Sequence, residues 1–278
     1  MKKIVFLDVD GTLIDYRLQM PKSAQTAVET ARKNGHIVYI CTGCSKAEIE
    51  YYHWTLELDG MIGGNGAYVE NGDEVLLHRS LSLEQCTDVV NWLKERQLPI
   101  ILEANSGMYA SDDLKSEKGR NAFLAYSKGK GNTDPSNYDW DKRWGKYVWG
   151  KSLYRDDVNK ISFVMDSYQD HLDSAKRFPD LVANTWGGKG EAALFGDLGV
   201  KGIDKAYAIE IVLKHHNMTK EDAISFGDAK IDLSMFEACG YNVAMGNGGP
   251  EIKEAADYIT DDINDDGLYN AFKKLGLI

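Results

Sequence analysis

The chain has 278 residues, 43% of them hydrophobic, which is enough for one large domain or two smaller ones with a substantial core. Its formal net charge of −11 at pH 7 argues against nucleic acid as a main partner, because nucleic-acid-binding domains usually carry a basic face. No apolar run is long enough to predict a transmembrane helix or a membrane partner, and acids at Asp8 and Asp10 interrupt the N-terminal apolar run too early for a signal peptide, which predicts a cytoplasmic chain.

The first predicted element is a strand over residues 4–7, an unbroken apolar run typical of a strand buried on both faces of a parallel sheet. Asp8 and Asp10 follow it, and side chains two apart on an extended chain point the same way, roughly 6.5–7 Å apart. Gly11 then permits a sharp turn. Ligands of open α/β sheets bind at the carboxyl ends of the strands, so this pair indicates a cation or phosphoryl site. A strand that ends in solvated loop acids is the alternative.

The next elements continue an α/β pattern. Pro21 precedes a helix with an apolar face, and residues 37–41 form a second buried strand that ends at Thr42 and Gly43. Ser45 is a candidate N-cap for the following helix. Cys41 and Cys44 form a C-x-x-C pair. Two reduced thiols are the favoured interpretation of this pair, and a redox-active pair is the alternative.

An α+β block interrupts this pattern after an Asn71-Gly72 hairpin signal. The block has amphipathic helices, short strand-like runs and an aromatic segment around residues 140–149, and its predicted end lies near Gly187-Gly188. We therefore predict a Rossmann-like α/β core with a parallel sheet at 1–81 and 189–278, and an inserted α+β cap domain at 82–188. The aromatic segment is a candidate substrate-facing cap surface, with packing inside the cap as the alternative.

The α/β pattern resumes with a strand near 192–195, a helix near Lys205, and a strand over 223–226 that leads to Asp228 and Asp232. Polar groups thus follow three of the predicted strands directly, and a fourth polar group, Lys205, opens the helix after another strand. Because the carboxyl ends of parallel strands share one edge of a sheet, we expect these groups to converge there.

In order, these groups read D-V-D-G-T from residue 8, C-T-G from residue 41, a lysine at 205, and G-D-A-K-I-D from residue 227. This series resembles the four motifs of the haloacid dehalogenase (HAD) superfamily. An N-G-A segment at 65–67 and the stretch 243–268 are similar to its Cof-like branch, which carries a large inserted cap. The resemblance covers residues 1–80 and 190–278, and it implies an Mg²⁺-dependent phosphatase.

The resemblance also implies roles for the four aspartates. Asp8 would be the nucleophile that forms an aspartyl-phosphate. Asp10 would protonate the leaving alcohol and then activate water. Mg²⁺ would be bound by the Asp8 carboxylate, the Asp10 carbonyl and Asp228, with Asp232 holding its waters or binding directly.

Three further residues are implied to bind the phosphoryl group. Thr42 and the Gly43 N–H would bind its oxygens at a helix start, and Lys205 would neutralise the acids and the developing charge. Lys201 and Lys230 are neighbouring candidates for the same role.

Two positions depart from the motifs. Cys44 stands where the second motif usually has arginine, which removes a bidentate anion donor, and Ile231 replaces the usual asparagine of the fourth motif. Asn65 and Cys44 are candidate substrate contacts.

The predicted function is hydrolysis of a small phosphorylated metabolite, for example a sugar phosphate, through an aspartyl-phosphate. A phosphosugar mutase is one alternative, and a non-catalytic phosphate-ligand-binding or regulatory protein on the same fold is another. A dehalogenase is disfavoured because it needs no second acid at Asp10.

Overall fold

The computed structural model describes residues 1–52, 54–129, 134, 136, 138–186 and 194–278. In chain order, the strands of this part are β1 (Ile4–Leu7), β2 (Ile37–Cys41), β3 (Gly60–Gly63), β4 (Tyr68–Asn71), β5 (Glu74–His78), β6 (Ile100–Ala104), β7 (Gly107–Ala110), β8 (Tyr147–Val148), β9 (Val158–Val164), β10 (Leu181–Thr185), β11 (Phe195–Val200), β12 (Ala223–Gly227), β13 (Tyr241–Ala244) and β14 (Tyr258–Ile259).

The helices of the same ranges are α1 (Lys22–Lys33), α2 (Lys46–Tyr51), α3 (Leu83–Glu95), α4 (Glu117–Gly129), α5 (Trp140–Gly145), α6 (Tyr168–Arg177), α7 (Lys205–His215), α8 (Leu233–Ala238), α9 (Pro250–Ala255) and α10 (Gly267–Lys274). In this described part of the chain, no helix combines the length and the apolar character needed to cross a membrane.

The chain divides into two compact units. The first consists of Met1–Gly43, Trp54–His78 and Asp204–Ile278, and the second of Cys44–His53 and Arg79–Ile203. This confirms the predicted combination of an α/β core with an inserted α+β domain.

The first unit is built on a sheet of strand order β14-β13-β12-β1-β2-β3-β4-β5, counted over the described residues. Its strands from β14 to β3 are parallel, and β4 and β5 are antiparallel additions. All four residues of β1 are fully buried, as its apolar run predicts. Ile4 and Phe6 belong to one core cluster with residues of α7 and α8, and the ring of Phe226 contacts Phe272 of α10 at a centroid distance of 5.2 Å.

Two predicted local signals, a hairpin turn in the first unit and the N-cap of α2, are confirmed. β4 and β5 pair with Asn71 opposite Glu74, and Gly72 has the positive φ of 54° that the hairpin turn requires. Ser45 caps α2, its side chain accepting a hydrogen bond from the Glu48 N–H at 3.4 Å. These features depend on residues close in sequence, which is why local patterns predicted them.

The second unit is built on a mostly antiparallel sheet of order β10-β11-β9-β6-β7-β8 within the described ranges. One face carries a core cluster that includes Leu102, Ile161 and Leu198. The other carries a second cluster that includes Ile101 and Phe195. Helices cover both faces, so the unit has its own core.

The predicted boundaries of the inserted domain need correction. β11 pairs with β9, Leu198 lying opposite Ile161, and also with β10. It therefore belongs to the second sheet, whereas the sequence suggested a return to the first at 189. The crossing predicted at Gly187-Gly188 lies outside the described residues. Cys44–His53 also join the second unit, where the Tyr51 hydroxyl donates to the Lys142 carbonyl at 2.9 Å.

The aromatic segment around residues 140–149 packs inside the second unit. The Trp140 and Trp144 rings stack at 5.0 Å, and Trp144 meets Phe123 edge-on at 5.8 Å. The three tryptophans of the segment pack against the cluster on the second face of the sheet. Packing, the second of the two predicted explanations, therefore accounts for these rings.

Candidate active site

The loop after β1 places the first two aspartates. The Asp8 N–H donates to the Phe226 carbonyl at 2.9 Å, and this bond anchors Asp8 between β1 and β12. Asp8 is only 6% exposed. Gly11, at φ 96°, turns the chain so that its N–H donates to the Ile14 carbonyl at 2.7 Å. A single bridge pairs Asp10 with Ile14. The backbone therefore fixes both acids before any ligand is bound.

Three carboxylates converge at the predicted edge of the sheet. One oxygen from each of Asp8, Asp228 and Asp232 lies within 4.8 Å of the others, and all three residues are buried. The second Asp232 oxygen accepts hydrogen bonds from the Asp228 N–H at 3.1 Å and the Ala229 N–H at 3.0 Å. Oxygen donors at this spacing fit a divalent cation such as Mg²⁺, which carboxylates bind readily.

Lys205 lies in the same cluster, at the first turn of α7. Its ammonium donates to Asp8 Oδ1 at 2.8 Å and to Asp232 Oδ1 at 2.6 Å, and the side chain is only 1% exposed. Of the two neighbouring candidates, Lys201 donates to the Pro179 carbonyl in the second unit, and the Lys230 side chain is 57% exposed. Of these three lysines, the predicted one, Lys205, is the lysine whose ammonium contacts the carboxylate cluster.

The charges in this cluster depend on one another. Burial and then the Asp232 carboxylate raise the pKa of Asp8 well above its usual value, although Lys205 opposes them. Burial disfavours the charge on Lys205, but Asp232 and Asp8 together raise its pKa above the usual value. A second positive charge in the cluster, from a cation, would favour the ionised form of Asp8, which is the form that acts as a nucleophile.

The second predicted motif follows β2. Thr42 is 1% exposed, and its N–H donates to the Ile62 carbonyl at 2.9 Å. Asn65, in the left-handed region at φ 56°, donates its N–H to the Thr42 carbonyl at 3.1 Å. A Cβ added to Gly43 would lie 2.9 Å from Asn65 Oδ1, so any other residue there would require the Asn65 side chain to shift. The structure therefore brings together Thr42, Gly43 and Asn65.

The buried Asn65 Oδ1 has no hydrogen-bond partner in the structure. Buried polar atoms are nearly always hydrogen-bonded. Among the described residues this oxygen is therefore a buried acceptor without a donor, and the role of Asn65 as a substrate contact stays a prediction.

The two departures from the motifs lie in different surroundings. Cys44 belongs to the second unit and is partly buried. Within that unit it is one of the groups that raise the pKa of Lys160, after Glu103 and Asp197 and against the effect of burial. Ile231 is 42% exposed, and its apolar side chain supplies no polar group to the acidic cluster.

Sequence reasoning missed two residues of the site. The Tyr16 hydroxyl donates to Asp228 Oδ2, and the Asn247 side-chain amide donates to the Gly11 carbonyl at 2.7 Å. Asn247 lies in the C-terminal stretch that carries the family resemblance, which was the available signal. Tyr16 lies in a loop without periodicity, and no sequence pattern indicated it.

Replacing Lys205 by methionine should destabilise the metal-free protein. The change leaves Asp8 and Asp232 buried without the ammonium group that they share, and removing one partner of a buried ion pair costs about 3–5 kcal/mol. We expect a loss of this size in the free energy of unfolding, measured by urea denaturation at pH 7 in the presence of EDTA. Lys230→Met, at an exposed lysine of the same unit, is the matched control and should change it little. Equal stability of the two variants would contradict the ion-pair interpretation.

Comparison with known proteins gives a consistent picture. A family model described as haloacid dehalogenase-like hydrolase matches residues 5–272. The Bacillus subtilis (strain 168) protein named "Putative phosphatase YkrA" is 27% identical over 276 residues, which cover 99% of this chain and 98% of the relative.

Solved structures match along the whole chain as well. One, described as part of work on a trigonal-bipyramidal intermediate in a phosphoryl-transfer superfamily, has 26% identity and a TM-score of 0.79, with 100% of both chains covered. Another, described as the HAD subclass IIB sugar phosphatase BT4131, has 26% identity, a TM-score of 0.77 and the same coverage.

Proposed function

Since the chain belongs to the family of haloacid dehalogenase-like hydrolases, we propose that it is an Mg²⁺-dependent phosphatase that hydrolyses a small phosphorylated metabolite through an aspartyl-phosphate on Asp8. The observation that carries this proposal is the buried contact of Asp8 with Lys205, next to the carboxylates of Asp228 and Asp232. A nucleophile needs an ionised, fixed oxygen, and a phosphoryl group needs positive charge around it.

The carboxylates of Asp8, Asp228 and Asp232 are the proposed ligands of the cation, together with the Asp10 backbone carbonyl. Asp232 binds either directly or through water. When bound, Mg²⁺ supplies positive charge that neutralises the phosphoryl oxygens and the acidic cluster. The mutual spacing of the three carboxylates within 4.8 Å supports this assignment.

Asp8 and Asp10 divide the chemistry between them. An Asp8 carboxylate oxygen attacks phosphorus, and the bond from phosphorus to the substrate oxygen breaks. Asp10 gives its proton to that departing oxygen, which leaves as an alcohol. Asp10 then takes a proton from a water molecule, whose oxygen attacks the aspartyl-phosphate, releasing inorganic phosphate and restoring Asp8.

Thr42, the Gly43 N–H and Lys205 are the proposed phosphate-binding groups. Lys205 is held at Asp8 Oδ1 by a hydrogen bond of 2.8 Å, so its charge lies where the phosphoryl group must approach. Asn65 and Cys44 are the proposed contacts to the rest of the substrate. The unpartnered Asn65 oxygen suits a hydroxyl donor, and a sugar phosphate supplies one. The likeness to a sugar phosphatase agrees with this substrate class.

A phosphate-release assay tests the proposal. The purified protein would be assayed on a panel of phosphorylated metabolites rich in sugar phosphates, with p-nitrophenyl phosphate as a generic substrate. We expect phosphate release with Mg²⁺, loss of release with EDTA, and recovery when Mg²⁺ is returned. Analysis of the products shows whether the phosphoryl group is transferred to water, as in a phosphatase, or to a sugar, as in a mutase. Absence of both phosphate release and any phosphoryl-transfer product, with Mg²⁺ binding intact, would instead support a phosphate-binding protein.

A further inference from the structure

Two hydroxyl groups from one loop hold the Asp228 carboxylate. Thr12 Oγ1 donates to Asp228 Oδ1 at 3.2 Å, and the Tyr16 hydroxyl donates to Oδ2. Each donor occupies one of the two lone-pair positions on its oxygen. Together the two hydrogen bonds fix both the rotation of the carboxylate and the directions from which its oxygens can meet a cation.

Gly11 makes this arrangement possible. A Cβ at Gly11 would overlap both the Asp228 carboxylate and the Tyr16 hydroxyl, so the glycine backbone lies directly beside their hydrogen bond. Asn247, through its bond to the Gly11 carbonyl, holds this part of the loop against the C-terminal half of the unit.

The chain beyond Tyr16 is also pinned. The Asp15 side chain accepts hydrogen bonds from the N–H groups of Arg17 and Gln19, both at 2.9 Å. The Asp15 N–H in turn donates to the Gln19 carbonyl at 2.9 Å. The backbone that carries Tyr16 is thus fixed in a closed turn.

We infer that Tyr16 is a positioning residue for the cation site: its hydroxyl orients the Asp228 carboxylate towards the cation shared with Asp8. This inference rests on the proposed function, because it assumes that Asp228 is a ligand. Removing a group that hydrogen-bonds a metal ligand without itself contacting the metal typically lowers metal affinity by about 10–100-fold. Tyr16 therefore contributes to Mg²⁺ affinity through its hydrogen bond to Asp228.

Direct binding measurements test this role apart from catalysis. Isothermal titration of Mg²⁺ into Tyr16→Phe, which loses only the hydroxyl, should give a dissociation constant about 10–100-fold above wild type. Tyr241→Phe is the matched control, since Tyr241 lies at the amino end of β13, whereas the aspartates lie at the carboxyl ends of the parallel strands. This variant should bind Mg²⁺ like wild type. Circular dichroism melting of all three proteins separates altered binding from altered folding.

Terbium luminescence gives a second readout. Tyrosine transfers excitation energy to Tb³⁺ only over short distances, so wild type excited in the tyrosine band should emit at the Tb³⁺ wavelengths. Mg²⁺ should displace Tb³⁺ and so reduce this emission. Because Tyr16→Phe also removes an energy donor, the comparison uses the Tb³⁺ concentration at half-maximal emission, which should rise in Tyr16→Phe and stay at the wild-type value in Tyr241→Phe.

The possible outcomes are distinct. An unchanged Mg²⁺ dissociation constant in Tyr16→Phe, with a lower melting temperature, would make the hydrogen bond purely structural. Tighter binding would show that the hydroxyl competes with the cation for the carboxylate. Both results overturn the positioning role and leave the proposed function standing. A wild-type protein that binds no Mg²⁺ would overturn the proposed function itself.

Discussion

Asp8→Asn is expected to abolish turnover. An amide oxygen is a poor nucleophile and a weaker cation ligand than a carboxylate, and losing the catalytic nucleophile lowers kcat by about 10⁶-fold in a well-studied hydrolase. Steady-state phosphate release on the best compound of the substrate panel, at saturating Mg²⁺, measures the effect. The Lys205 ammonium keeps its 2.6 Å contact with Asp232 in the variant, so we expect it to fold.

Asp73→Asn is the matched control for this experiment. Asp73 lies exposed between β4 and β5, and the same chemical change there should leave turnover unaltered. An Asp8→Asn protein that turned over within tenfold of wild type would exclude covalent catalysis by Asp8.

Asp10→Asn should slow turnover by about 10²–10⁴-fold, the usual effect of a lost general acid–base group. Mg²⁺ binding should persist, because the proposed ligand at this position is the backbone carbonyl, which the substitution retains. The loss should be larger for an alkyl phosphate than for p-nitrophenyl phosphate, because p-nitrophenolate leaves without needing a proton. Parallel kinetics on the two substrates and a Mg²⁺ titration provide the measurement.

The opposite pattern would reassign Asp10. If the variant lost Mg²⁺ affinity and recovered its rate at high Mg²⁺, then Asp10 would act through its carboxylate as a cation ligand. An equal loss on both substrates would argue against its role as the acid for the leaving group.

Much of the first unit could be predicted because its signals are local. The apolar run before Asp8 is a fully buried strand, and Asp228 and Asp232 follow a second such strand, β12, paired beside it. Parallel pairing then brings these carboxylates together without further information from the sequence. The family resemblance singled out Lys205, but local sequence alone could not exclude Lys201 and Lys230, because the difference lies in burial, which depends on the packing of α7.

The boundaries of the second unit could not be predicted in the same way. Residues of β11 have an ordinary strand pattern, and such a pattern does not say which sheet the strand joins. The choice depends on antiparallel pairing with β9 and β10, whose register is set by side chains far away in sequence. The α2 segment joins that unit for a similar reason, through contacts such as that of Ser45 Oγ with Met108 Sδ at 3.2 Å.

Tyr16 shows a third limit. Its partner Asp228 lies in the last third of the chain, and the contact exists only because Gly11 turns the loop and Asp15 closes the next turn. The three-dimensional path of an irregular loop has no period that a sequence pattern can report. The geometry of the site could therefore be predicted at the strand ends and not inside the irregular loop between β1 and α1.

The pairing of β1 with β12 also has a consequence for the order of assembly. Ile4 lies opposite Ala223, so this pairing closes a loop that contains the whole second unit. The entropy lost on closing a loop grows with the length of flexible chain inside it. A ribosome releases β6 to β11 before β12, so the second sheet has all its strands while the first still lacks β12, β13 and β14. Compaction of the second unit shortens the flexible part of the loop, and it thereby lowers the entropic barrier to completing the sheet that carries Asp8.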